Sequence, residues 1–339
     1  MSSYAYVFPG QGSQSVGMGQ ALAAASPAAA RVYAAADAAL GEPLSRLAWE
    51  GPDEELNRTE HAQPAILATS IAYLEVLRER APELDRPDGG GPAFMAGHSM
   101  GQYSAMVAAG VISLADGIRL VRERGRLMQA SGSGRDGAMA AIIGLDEAQL
   151  PELVRRAAAH GTFGVANRNA PGQVVVSGER AAIEAAAGIA KELGAKRAIV
   201  LPVSVAAHSP LMAEAAAGMR DVLGGVTFHD PRVVLLANAD ARPLTTAEAC
   251  RAELVEHLTA GVDWVQAVEA MQAAGVTTFL EVGPGKVLTN LIKRIAPEAT
   301  ALALDEPAAP DHFAVPTAAI AAIAATADPA AASPNATPA

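Results

Sequence analysis

Residues 97–101 read Gly97-His98-Ser99-Met100-Gly101, a serine with a glycine two positions away on either side. In that spacing the glycines relieve crowding around a strained turn that pushes a hydroxyl out beyond a strand. The N-terminus of the following helix then favours negative charge developing near Oγ. The chemistry suggested is nucleophilic attack on an acyl carbon; the plainer reading is an ordinary strand-to-helix turn. A serine needs a base, and the chain offers His61, His98, His160, His208, His229, His257 and His312. His160 ends a helix, His229 lies in a turn before Pro231, His312 is near the C-terminus and His61 precedes a helix. His98 adjoins the serine, but adjacent side chains diverge at a sharp turn. His208 and His257 remain; His208 follows the apolar run Ile199-Val200-Leu201-Pro202-Val203-Ser204-Val205, where catalytic loops commonly sit.

An attacked carbonyl also needs donors for its developing oxyanion. The backbone N–H groups of Gln11, in Gly10-Gln11-Gly12-Ser13-Gln14, and of Met100 can supply two. The Gln11 loop is not a phosphate cradle, because no Gly-Lys-Ser/Thr follows it. Arg122, Arg124 and Arg126 share one helical segment, and most such arginines face solvent. Arg124 lies between Leu120-Val121 and Leu127-Met128, whose apolar side chains draw that face inward. An inward arginine calls for an anion, from the protein or from a substrate. Gly283-Pro284-Gly285-Lys286 reads as a structural turn leading into a helix.

The elements that must position these groups alternate between strand and helix. Ala5–Phe8 is a short apolar strand before the Gln11 loop, and helices are predicted over Met18–Ala25, Ala28–Leu40 and Gln63–Glu79. After a loop at Pro82–Pro92, Ala93–Ala96 reads as a strand, Gln102–Ala109 as a helix and Ser113–Ala130 as another. From Gly137 the order becomes strand Ala138–Ile143, helix Glu147–His160, strands Phe163–Asn167 and Gln173–Gly178, helix Ala181–Leu193 and strand Ala198–Leu201. That β-α-β-β-α-β order is a split βαβ, ferredoxin-like unit, expected to form an inserted subdomain over residues 137–203. Beyond it, strands fall at Val233–Leu236 and Thr278–Glu281, and helices near Leu211–Leu223, Glu248–His257, Val265–Ala274 and Val287–Arg294. Residues 306–339 are Ala- and Pro-rich, and their far end is expected to be disordered.

The chain has 339 residues, 51% hydrophobic and 18% charged, which fits a globular protein with a sizeable core and excludes a disordered one. With six Phe, five Tyr and two Trp, that core is expected to rest on Leu, Val, Ile and Ala. A net charge of −11 without any dense basic run disfavours nucleic acid. The single Cys250 excludes an internal disulfide and a cysteine-rich metal cluster. The N-terminal residues lack the pattern of a secretory signal, and no apolar run reaches a membrane span; a cytoplasmic protein is expected.

Taken in order, these segments resemble the malonyl-CoA:acyl-carrier-protein transacylases and their polyketide-synthase relatives. The resemblance runs from the first strand to about Pro307. It rests on Val7-Phe8-Pro9-Gly10-Gln11-Gly12-Ser13-Gln14, Gln63-Pro64-Ala65, the 97–101 motif, Arg124-Gly125 with Met128-Gln129, and Gly137–Leu145. It continues through Asn169 with Pro171-Gly172-Gln173, Leu201–Val205 with His208, and Glu281–Leu288. It implies an α/β-hydrolase-like core (residues 1–136 and 204–305) carrying the ferredoxin-like insertion. It further implies Ser99 as the acylated nucleophile, His208 as its base and the N–H groups of Gln11 and Met100 as the oxyanion hole. Arg124 would pair with the malonyl carboxylate, with Gln63, Asn167 and His257 against the substrate. No metal or redox cofactor is implied; the partners are malonyl-CoA and a holo acyl carrier protein, with no nucleic acid or membrane, and a monomer is expected.

Two positions depart from the family pattern. Gln102 stands where glutamate is usual, which is expected to remove a carboxylate near the pocket mouth and to affect acyl selectivity. His257 stands where glutamine is common; the family uses the backbone carbonyl there to orient the catalytic histidine, and the His257 ring is a reserve base. Because carrier proteins are acidic like this chain, docking calls for a local basic patch. Arg119, Arg122, Arg126 and Arg135, or Lys286, Lys293 and Arg294, are the candidates. Rival functions are a discrete polyketide acyltransferase taking a substituted malonyl group, an acyl hydrolase, and a catalytically silent binding module.

Overall fold

The computed structural model describes residues 4–85, 91–132, 136–201, 203 and 205–304. Its strands are β1 (Tyr4–Phe8), β2 (Phe94–Gly97), β3 (Gly137–Ile143), β4 (Phe163–Ala170), β5 (Gln173–Glu179), β6 (Arg197–Val200), β7 (Val234–Leu236), β8 (Pro243–Leu244), β9 (Val262–Asp263), β10 (Thr278–Glu281) and β11 (Thr300–Ala303). The helices are α1 (Gln20–Ala25), α2 (Pro27–Leu40), α3 (Leu44–Glu50), α4 (Asp53–Leu56), α5 (Thr59–Arg80), α6 (Gly101–Ala108), α7 (Leu114–Gly132), α8 (Leu150–Ala157), α9 (Arg180–Glu192), α10 (Ala213–Gly224), α11 (Ala247–Ala260), α12 (Trp264–Ala273) and α13 (Val287–Ile295). The predicted tail and Arg135 lie outside the described residues.

Two sheets make a mixed α/β fold. The larger has the order β11-β10-β1-β2-β7-β8, parallel from β11 through β7 with β8 antiparallel at one edge. Its central strand β1 is buried at every residue, as expected of a parallel strand covered on both faces. The two-residue alternation of a strand divides β1 between two cores. Tyr4, Tyr6 and Phe8 pack among side chains of α2, α5, α6 and α7, while Ala5 and Val7 pack with α12 and α13. All five tyrosines are buried, as are Phe8, Phe279 and Trp264. This corrects the expectation of an aliphatic core: the few aromatic residues are concentrated inside, where each covers the most area.

The smaller sheet has the order β6-β3-β5-β4-β9. Its first four strands are antiparallel neighbours, and α8 and α9 contribute to one core against them. The fifth strand comes from outside residues 137–203: β9, directly after α11, pairs parallel with β4 through Asn167–Val262 and Arg168–Asp263. Arg168 reinforces the junction, reaching Asp263 Oδ2 at 2.9 Å and Glu147 Oε1 at 2.6 Å. The sequence pattern does not predict this added strand, because a two-residue strand leaves no periodic trace. Helix α5 begins a turn before its predicted start and is buried along most of its length, held between α2 and α7.

Candidate active site

Four connections at the C-terminal edge of the larger sheet converge, the usual location of sites in parallel α/β sheets. They follow β1, β2, β7 and β10. At the end of β2 the chain turns through Ser99, whose φ of 53° is left-handed and strained for a non-glycine residue, and enters α6. The flanking glycines are required by close backbone approach. A Cβ on Gly97 would lie 2.0 Å from the carbonyl carbon of Gly101, and one on Gly101 would lie 2.2 Å from the carbonyl oxygen of Phe8. Beneath the turn, fully buried Gln102 accepts from the Gly97 N–H at 3.2 Å and donates to the Leu236 carbonyl at 3.0 Å. This corrects the placement of Gln102 at the pocket mouth: it ties β2 to β7 under the nucleophile, and the amide supplies both the acceptor and the donor those backbone groups need.

Ser99 Oγ lies 2.8 Å from His208 Nε2. His208, also left-handed at φ 58°, donates from Nδ1 to the backbone carbonyl of His257 at 2.6 Å. That bond leaves Nε2 unprotonated and facing the hydroxyl, the tautomer a general base needs. Burial and the nearby Arg124 charge push the His208 imidazole down to about 3, so it is neutral at ordinary pH. Of the two histidines left open by the sequence, His208 is the one within reach of Ser99 Oγ, and the backbone carbonyl of His257 holds its ring. The His257 ring does not reach Ser99: Nδ1 donates to its own helix at Glu253 O (2.9 Å) and Nε2 accepts from Arg124 Nη2 (3.3 Å).

Arg124, on α7, is 1% exposed and donates from Nη2 to Ser99 Oγ at 3.1 Å. Its guanidinium carbon lies 5.9 Å from the centre of the Tyr103 ring, its Nε has no hydrogen-bond partner, and no carboxylate of the described residues lies within 4.0 Å. A buried cation without a counter-ion, beside a nucleophile, is half of an ion pair. Burial lowers its affinity for the proton, and the opposing pull of Tyr103 is the smaller effect.

The loop after β1 packs against the elbow: the His98 N–H donates to the Phe8 carbonyl at 3.1 Å, and a Cβ on Gly10 would lie 2.5 Å from the His98 carbonyl oxygen. Gln11 follows on this loop, exposed, with its side chain on Thr59 Oγ1 at 3.3 Å and its backbone N–H, like that of Met100, without an acceptor among the described residues. His98 turns away from Ser99 and meets Asn169 Oδ1 at 2.9 Å. Asn167, expected against the substrate, is buried in β4 and makes no hydrogen bond to Ser99, His208 or Arg124; Asn169, at an irregularity of the same strand, is the asparagine that touches the elbow. Gln63 is fully buried on α5, with Nε2 3.7 Å from Met128 Sδ and Oε1 unpartnered.

Two residues escaped the sequence reading. Asn238, after β7, accepts the Ser99 N–H at 2.8 Å, and its own N–H donates to Glu253 Oε1 at 2.7 Å. Neither bond has a sequence signature, since both join segments far apart in the chain. After β10, the Glu281 carboxylate accepts from the N–H groups of Leu288 and Thr289 at 3.0 and 2.7 Å, so the 283–286 turn is a helix cap, as its pattern suggested.

A strained serine elbow, a histidine fixed by a carbonyl and two waiting N–H donors define a serine acyl-group enzyme. Residues 5–311 match the acyl transferase domain, and the chain belongs to that family; it is an acyltransferase. It is 47% identical over 309 residues to a malonyl CoA-acyl carrier protein transacylase of Escherichia coli (strain K12), covering 91% of this chain and 98% of that one. An acyl carrier protein S-malonyltransferase from Vibrio cholerae superposes with a TM-score of 0.86 at 41% identity, covering 91% of this chain and 99% of the other. A malonyl-transacylase in complex with a type II polyketide acyl-carrier protein gives 0.84 at 43% identity, covering 90% and 96%. No helix of the described residues is long and apolar enough to cross a membrane.

Proposed function

We propose that this enzyme moves a malonyl group from malonyl-CoA to the phosphopantetheine thiol of an acyl carrier protein through a Ser99 ester. The observation that carries the acyl preference is Arg124, buried beside Ser99 Oγ without a carboxylate of its own. As Oγ attacks the thioester carbon, its proton passes to His208 Nε2 and the carbonyl oxygen becomes an anion facing the N–H groups of Gln11 and Met100. The C–S bond then breaks and the proton leaves with the CoA sulfur. A carrier thiol attacks the Ser99 ester by the reverse sequence, giving its proton to His208 and restoring the serine hydroxyl. Each charge in this cycle is met by a residue or a backbone dipole, so no cofactor is invoked.

In this reading residues 1–136 and 204–305 form a hydrolase-like core and 137–203 a ferredoxin-like insert. The parallel larger sheet and the β6-β3-β5-β4 order of the smaller one support the two. We place carrier docking at α13. Arg119, Arg122 and Arg126 are each paired with an acidic side chain (Asp116, Glu42 and Glu123), whereas Lys286 and Lys293 are exposed and make no ion pair among the described residues. Arg294, beside them, is bound to Gln173 and the Pro171 carbonyl.

The test is intact-protein mass spectrometry of wild type and Ser99→Ala after brief exposure to malonyl-, methylmalonyl- and acetyl-CoA, followed by holo carrier protein. Malonyl mass on the wild type alone, passed on to the carrier, is the expected result. Equal loading of acetyl, or an adduct lost to water before carrier is added, would favour a hydrolase instead.

A further inference from the structure

One turn of α11 reaches three groups of the site, His208 and Arg124 directly and Ser99 through Asn238. The carbonyl of His257 fixes His208, and the ring of His257 holds Arg124. Glu253, one turn earlier, accepts the N–H of Asn238, whose side chain in turn accepts the N–H of Ser99. Glu253 is 1% exposed, and its other oxygen, Oε2, makes no hydrogen bond. The nearest cation is Arg242 Nη2, 3.6 Å from Oε2, and that guanidinium is shared with Asp240 and Glu256. A buried carboxyl with one oxygen committed and the other left open costs stability, so a functional role is to be sought for it.

We propose that Glu253 is a positioning residue for the nucleophile, whose ionised carboxylate, acting through Asn238, holds the Ser99 peptide in its strained turn. This rests on the reading that Ser99 is acylated. A charge-assisted bond from the Asn238 N–H is stronger than the same bond to a neutral acid. Protonation would also place an O–H on Oε2, opposite a guanidinium that can only donate. The groups facing the carboxyl are Arg242 from the β7–β8 connection, Tyr103 from α6, and Cys250, Glu256 and His257 from α11 itself. Among these, burial dominates and pushes the Glu253 carboxyl up to about 7, against the pull of Asn238 and Arg242. His208 is neutral above about 3, so a loss of activity on acidifying through neutrality would arise from Glu253 and not from the base.

The proposal is tested on the full chain with wild type, Glu253→Gln and Asn238→Ala. Ser99 modification is followed by intact mass in single turnover with malonyl-CoA and, separately, with phenylmethylsulfonyl fluoride, which reports serine nucleophilicity without any acyl-CoA recognition. Both wild-type rates should rise about three- to tenfold between about pH 5.5 and 8.5. Glu253→Gln, nearly isosteric and able to accept the same N–H, should be flat at the wild type's acid rate, with half-saturation by malonyl-CoA changed less than about twofold. Asn238→Ala should be flat and no faster. A Glu253→Gln profile that keeps the wild-type step, or a flat wild type matched by Glu253→Gln, overturns the proposal. A wild type that takes the sulfonyl group but not malonyl refutes the transfer reading while the sulfonylation rates still judge Glu253; one that takes neither overturns both.

Discussion

Replacing Arg124 by methionine should erase the preference for malonyl and, at the same time, stabilise the free protein. Arg124 is 1% exposed, lacks a carboxylate partner and spends its one bonded nitrogen on Ser99 Oγ and His257 Nε2. Leaving one member of a buried pair uncompensated costs about 3–5 kcal/mol, so the malonyl carboxylate should favour malonyl over acetyl in kcat/KM by about two to four powers of ten in the wild type. In the variant that carboxylate would enter a site without a cation, and the ratio should fall to about one or below. The unliganded protein, relieved of a buried charge but left with an undonated His257 Nε2, should gain about 1 kcal/mol, or about 2–4 °C in melting temperature. The assay is parallel initial-rate loading of Ser99 by the two thioesters, with thermal melts of both proteins without substrate. A variant that melts well below the wild type, or still prefers malonyl more than about tenfold, would refute the reasoning, because Arg124 would then be a structural cation rather than a waiting half of an ion pair.

The remaining expectations are more compact. His208, at about 3 in the folded protein, takes a proton later on acidification than the same residue unfolded, so its stabilising contribution is full above about 6.5 and is lost as the pH falls. Between pH 7 and 5 that loss is about 2 kcal/mol. Glu253, raised to about 7, acts in the opposite sense, with its contribution present at low pH and lost as the pH rises through 7. Urea denaturation at the two pH values should therefore show His208→Gln less acid-sensitive than wild type and Glu253→Gln more so, and equal sensitivities would contradict the assigned shifts. Gly97→Ala should abolish Ser99 loading, since its Cβ would fall 2.0 Å from backbone that cannot yield; an active, normally melting variant would show that the elbow is not tightly packed. Lys286→Glu with Lys293→Glu should raise KM for the carrier and leave that for malonyl-CoA unchanged, and an unchanged carrier KM would move docking elsewhere.

The parts of the site legible in the sequence were those whose side chains announce their surroundings. Ser99 was visible through its glycines, and Arg124 through the apolar residues that turn its helix face inward; the fold places both as read. Backbone chemistry was opaque. The carbonyl of His257 was legible only through the family resemblance, since a backbone group carries no residue-type signal, and the part of Asn238 under the Ser99 peptide emerged only when distant segments met. Gln102 was misplaced for a related reason. It follows the motif closely enough to suggest the pocket, but α6 directs its amide down between β2 and β7. The long periodic helices were found, whereas α3, α4, β8, β9 and β11 were not, because short elements are read only where an apolar run or a flanking motif marks them.

The strand that the segment after α11 adds to the smaller sheet bears on how the enzyme turns over. Helix α11, which orients His208, runs through Gly261 into β9, and β9 is a rung of the smaller sheet. Swinging that sheet outward would either break the Asn167–Val262 and Arg168–Asp263 pairings or pull the His257 carbonyl away from the imidazole it steers. The site is thus braced rather than hinged, and donor and acceptor must take turns by presenting a slender thioester arm to one fixed serine. In such an architecture the tempo of exchange belongs to the visiting arm, and the host keeps its geometry between visits.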